Sequence, residues 1–205
     1  MKIAAANGDG TAQAQAQMEW GELPRGYKRS STLTQPELVA LLTDRLRDYD
    51  ANVIEVALHD VADAVRGALQ ARGLPRMVVP PGVRREFLPT GMAFTVDSGL
   101  GPQELDGFGG VLTESTLAIA ETGTIVLQNV PGQGRRAVSL LPDYHLCLVA
   151  AASVVETVPE AMARLQPTAR LATTFISGPS ATADIEMVRI KGVHGPRFLD
   201  VVLFH

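Results

Sequence analysis

Three groups of residues have types and spacing suited to chemistry. The first is Ser177-Gly178-Pro179-Ser180-Ala181-Thr182-Ala183-Asp184-Ile185-Glu186, where a β-rich run hands over to a helical pattern. In open α/β sheets, ligands gather beyond the carboxyl ends of strands. A helix starting at Ser180 would offer free N–H groups and a partial positive charge there. Ser177, Ser180 and Thr182 add hydroxyls, and Gly178 permits close backbone approach. These parts suit a small carboxylate or phosphate. They equally suit a plain N-cap at Ser180, with Asp184 and Glu186 as first-turn acids that complement the dipole. The same acids offset part of the potential that would attract an anion.

The second group is Gly192-Val193-His194-Gly195-Pro196, a turn around a histidine. His194 titrates near neutral pH and is a candidate general acid or base. It also fits a ring bonded to its own turn. His145, opening a strand, is a weaker candidate. The third group is Ala120-Glu121-Thr122-Gly123-Thr124. A carboxylate at a hairpin tip can be a nucleophile, a base or a simple acceptor, and Thr122 and Gly123 would sit beside it as ligand contacts. Thr113-Glu114-Ser115-Thr116 is a further polar cluster. Ser115 lacks the G-x-S-x-G elbow, and neither a dinucleotide fingerprint nor a phosphate loop occurs. Gly107-Phe108-Gly109-Gly110 precedes a strand, a poor place for a phosphate cradle.

The elements that position these groups follow from periodicity. Thr34, Pro36 and Glu37 form a helix start, and Leu38, Leu41, Leu42 and Leu46 recur at helical spacing up to about Tyr49. Asn52 to Val56 is a strand. Asp60 is placed to cap a second helix that ends at Gly73, and Met77-Val78-Val79 follows as a buried strand. The alternation returns near the end, with a strand over 172–177, a helix over 180–189 and a strand over 198–204. Between them lie strands over 108–112, 116–120, 124–128 and 146–150. The middle pair is a hairpin, with Gly123 supplying the positive φ. Residues 129–144 form a long loop, and long loops in small domains are often functional. The pattern is an α/β fold, a mostly parallel, helix-covered sheet with a β-hairpin insertion.

Composition bounds the rest. A chain of 205 residues, 46% hydrophobic, suits one domain of residues 31–205 behind a flexible N-terminal arm of residues 1–30. Within that arm, Trp20 and Tyr27 are placed to dock on the body or on a second subunit. A net charge of −4, with basic residues only in short pairs such as Arg135-Arg136, argues against nucleic acid as partner. No apolar run approaches the roughly 18 residues of a membrane span, and no signal peptide opens the chain, so the cytoplasm is the default location. The single cysteine, Cys147, sits in an apolar strand and cannot build a thiolate metal or iron–sulfur site. No metal site and no cofactor in this chain are therefore expected.

The stretches Gly110–Leu127, Ser177–Glu186 and Gly192–Pro196, with Leu46-Arg47-Asp48-Tyr49-Asp50-Ala51 upstream, resemble the lactate-utilisation protein C family (LutC/YkgG, the LUD domain). The likeness covers residues 34–205, while the Ala/Gln-rich start departs from it. It implies a three-layer α/β/α fold related to the NagB/RpiA/CoA-transferase group. It also implies a part in oxidising L-lactate to pyruvate beside iron–sulfur partner proteins, which would hold the redox centres. Two roles stay open: an accessory protein binding a small anion, or an acyl- or CoA-transferring enzyme using Glu121. Phosphosugar isomerisation is a further option by fold analogy alone.

Overall fold

Apolar runs too continuous for a half-exposed strand predict a sheet buried on both faces. The structure, a computed structural model, bears this out. It describes residues 10–24, 26–74, 76–182, 190–191 and 195–205. Helix α1 (Gly10–Glu22) leads to α2 (Gln35–Asp48), β1 (Asn52–Val56), α3 (Val61–Ala71), β2 (Arg76–Val79) and β3 (Ala93–Val96). Then come α4 (Pro102–Asp106), β4 (Gly110–Glu114), β5 (Leu117–Ile119), β6 (Thr124–Gln128), α5 (Arg136–Leu140) and β7 (Tyr144–Ala150). The chain closes with β8 (Val154–Val155), α6 (Val158–Leu165), β9 (Thr173–Ile176), β10 (Ala181–Thr182), β11 (Ile190–Lys191) and β12 (Phe198–Phe204).

Six strands pair in parallel in the order β1-β12-β7-β4-β2-β3. One face packs Leu146, Leu148, Val202 and Phe204 against Val61, Val65 and Leu69 of α3. The other packs Cys147, Val149, Val201 and Leu203 against Leu38, Leu42 and Leu46 of α2 and against Ala118, Ile125 and Leu127. Those last residues belong to a second sheet, β8-β5-β6-β9, in which the β5–β6 hairpin is antiparallel. Helix α6 covers its far side through Ala161 and Leu165. Short helices α4 and α5 cap the open part of the large sheet through Leu105 and Val138. The result is the α/β layering the resemblance implies.

Local signals account for much of this. The Thr34 N–H donates to Glu37 Oε2 at 2.7 Å, completing the cap that starts α2. Gly73 ends α3 at φ +64°. Asp60 stands at the start of α3 but makes no side-chain cap bond. Helix α6 starts the same way as α2, since Thr157-Val158-Pro159-Glu160 repeats the pattern of Thr34-Gln35-Pro36-Glu37. Thr157 Oγ1 accepts from the Glu160 N–H at 3.3 Å. Strand β3 and helices α4, α5 and α6 lie where no element was expected, α5 inside the expected long loop.

Two expectations are corrected. No helix begins at Ser180. Ala181 and Thr182 form a strand against Ile190 and Lys191, and the Ser180 N–H donates to the Pro196 carbonyl at 2.8 Å. That amide is spent inside the turn and is not offered to an anion. Asp184, Glu186 and His194 lie outside the described residues. The N-terminal segment, expected as a flexible arm over residues 1–30, is helical over Gly10–Glu22, in keeping with its Ala, Gln, Met and Glu content. Trp20 and Tyr27 stay 67% and 54% exposed. The chain is tied to the body just beyond, where Lys28 pairs with Glu156 and the Thr32 N–H donates to Glu156 Oε2 at 2.8 Å.

Candidate functional site

Ser177 follows β9, and Gly178 turns the chain at φ +83°. A Cβ on Gly178 would lie 2.5 Å from Tyr49 Cβ, so only glycine lets this turn close against the end of α2. The turn forms one wall of a cleft of about 350 Å³. Ser177, Gly178 and Ser180 line it, as the sequence suggested. Facing them are Arg136 and Ser139 of α5 and His145 of β7. No carboxylate lines the cleft among the described residues.

Arg136 was visible only as half of a basic pair. The structure separates the two. Arg135 grips Asp97 through Nε and Nη2 at 2.8 and 3.0 Å, and these bonds hold the Asp97 carboxyl below its usual range. Arg136 makes no ion pair among the described residues and stands exposed at the cleft. His145 is 1% exposed. Its Nε2 lies 2.8 Å from Thr113 Oγ1, and Nδ1 has no partner among the described residues. Burial lowers its pKa to about 4, so the ring is neutral at pH 7. A neutral imidazole can accept a proton from a hydroxyl or hydrogen-bond an oxygen. Cys147 lies deeper on the same face, and burial raises its thiol to about 12, which makes it inert.

The other expected site residues lie elsewhere. Thr122 Oγ1 lies 2.7 Å from Thr124 Oγ1, which lies 2.8 Å from Ser177 Oγ. This hydroxyl chain braces the Ser177 turn against the hairpin. Thr122 itself does not line the cleft. Gly123, at φ +57°, packs against Arg45 of α2. Glu121 is exposed, its N–H donates to the Glu156 carbonyl at 3.1 Å, and it does not line the cleft. Thr182 pairs with Ile190 in the short antiparallel ladder and does not line the cleft.

One guanidinium, one neutral imidazole and several hydroxyls, with no acid among the described residues, are groups chemically suited to a small carboxylate or phosphate. Residues 107–204, which include all of these cleft residues, match the LUD domain model. Lactate utilization protein C of Deinococcus radiodurans is 40% identical over 181 residues, 86% of this chain and 84% of that protein. The chain belongs to the lactate-utilisation protein C family. Another protein of that name, from Bacillus velezensis, is 29% identical over 199 residues, 87% of this chain and 82% of its own. Among solved structures, a DUF162 family protein from Deinococcus radiodurans superposes with a TM-score of 0.75 at 36% identity, covering 84% of this chain and 99% of that one. The LUD-domain match spans β4 to β12, so it contains the hairpin sheet and the cleft, while α2, α3 and the first three strands precede it. No described helix is long and apolar enough to cross a membrane.

Proposed function

We propose that this protein is an accessory component of L-lactate utilisation that holds a small carboxylate in the cleft between β9 and α5. Arg136 pairs with the carboxylate, Ser139, Ser177 and Ser180 hydrogen-bond it, and the neutral His145 ring meets an oxygen on the neighbouring carbon. The observation that carries this reading is Arg136, without an ion pair among the described residues, in a cleft that no described acid lines. The names of the relatives supply the pathway. Electron transfer falls to iron–sulfur partner proteins, because one buried cysteine cannot ligate a cluster here. Acyl or CoA transfer through Glu121 has less support, since that side chain stands outside the cleft.

Titration calorimetry with L-lactate, pyruvate, acetate and inorganic phosphate tests the reading. Saturable binding of at least one of these anions is expected, with a loss of about tenfold or more in Arg136→Gln, the scale of one charge-assisted bond. Absence of binding by all four would reject the anion site. Unimpaired growth on L-lactate after clean deletion would reject the pathway. Co-purification with iron–sulfur proteins tests the partnership.

A further inference from the structure

A second cavity, of about 260 Å³, adjoins the cleft and shares Arg136, Ser139 and Thr174 with it. That cavity shares Asn129, Gly134 and Arg135 with a third, of about 540 Å³. The three adjoin in a row along one face, a groove from the Ser177 turn to the carboxyl ends of β2 and β3.

The chemistry changes along it. At the first end are Arg136 and the hydroxyls. In the middle, beyond Arg136 at the junction with the cleft, the one charged group among the described residues is Arg135, which Asp97 neutralises. Gln133 Oε1 already accepts from Thr116 Oγ1 at 2.8 Å and from the Gln128 N–H at 2.7 Å. Gln128 Nε2 donates to Thr168 and Thr173. Asn129 differs. Its carboxamide has no hydrogen-bond partner among the described residues, and it stands where the second and third cavities meet. At the far end Pro81, Gly82, Val130 and Pro131 form an apolar wall. Asp97 lies there too, but Arg135 and the Gly99 and Leu100 N–H groups satisfy it. A second charge on a ligand would find no unpaired counter-charge there among the described residues, since Arg135 is held by Asp97.

We propose that the groove takes an elongated monocarboxylate: head at Arg136, an uncharged amide-like middle beside Asn129, and an apolar tail against Val130 and Pro131. This rests on the reading of the cleft as a carboxylate site and names the class of molecule that fills the rest. A two- or three-carbon acid occupies only the first end. The groove as a whole has the length to seat a larger ligand.

The test is a ladder of acids on the full chain: acetate, N-acetylglycine, N-butanoylglycine and N-hexanoylglycine, each measured by calorimetry. Affinity should rise on adding the amide. It should then rise by up to about fourfold per methylene, the value of burying one such group. Asn129→Ala should remove the amide step and Val130→Trp the methylene steps, with acetate binding unchanged in both. Arg136→Gln should weaken every member. If acetate binds and no acylglycine binds tighter, the elongated ligand is overturned while the carboxylate cleft stands. If no member binds, both fall. The ladder on the unsubstituted chain decides this even if a variant fails to fold.

Discussion

Tyr144 and His145 are neighbours in β7 and point to opposite faces of the same sheet. On the α3 side, the Tyr144 hydroxyl donates to Asp200 Oδ2 at 2.9 Å. Arg72 holds the same carboxylate at 3.0 and 2.5 Å and lies 4.6 Å over the tyrosine ring. Every strong group in that cluster is taken, and desolvation raises the tyrosine pKa well above its usual value. On the cleft side, the His145 ring makes one bond, to Thr113, and its other nitrogen has no partner among the described residues. Both clusters are buried and polar. A saturated network fixes the packing of a sheet, whereas one with spare bonding capacity beside a cavity can receive a ligand.

Breaking the saturated side should have the largest effect. Asp200→Ala leaves a buried hydroxyl and a partly buried guanidinium without their partner. A destabilisation of about 3 kcal/mol is expected in denaturant unfolding, with affinity for small acids in the folded protein little altered. A loss of binding as large as that of Arg136→Gln would mean the two faces are not independent.

The histidine side should show itself in pH. His145 has a folded pKa of about 4 against an unfolded value of 6.5. Between these values the unfolded chain binds more protons, so stability falls as pH drops from 6.5 to 4. Its full contribution is present above pH 6.5. In His145→Asn, this part of the acid sensitivity should disappear, and affinity for a small carboxylate should fall several-fold at pH 7. Unchanged slopes in paired pH–stability curves would show that the ring is not held neutral by its site.

A smaller effect separates the tethered segment from the folded body. Lys28, then the Thr32 N–H, hold Glu156 at a pKa of about 2. This carboxylate contributes stability above its ordinary value of 4.5, and that contribution is lost as pH falls toward 2. Glu156→Gln should speed tryptic cleavage after Lys28 and Arg29 at neutral pH while leaving the melting of the sheets nearly unchanged. Equal cleavage rates would place the tether elsewhere.

How much of this was legible in the sequence depends on how local the cause is. The Thr34–Glu37 cap, the 3.6-residue recurrence of leucines in α2 and the apolar runs of β7 and β12 act within a few residues. They determined α2, the parallel sheet and the hairpin at Gly123. The family-specific turn at Ser177–Ser180 was legible as well, and it does line the cleft. The rest turned on groups far apart in the chain. Ser180 spends its N–H on Pro196, which removes the helix start expected there. Arg135 and Arg136 look alike in sequence, but only the fold brings Asp97 to the first and, among the described residues, a cleft lined by no acid to the second. His145, placed as a strand residue of minor interest, becomes a floor of that cleft because α5 and the Ser177 turn close over it. Local propensity chose the elements. Long-range pairing of charge and hydrogen bonds, which no spacing along one chain encodes, decided which side chains were left free to bind.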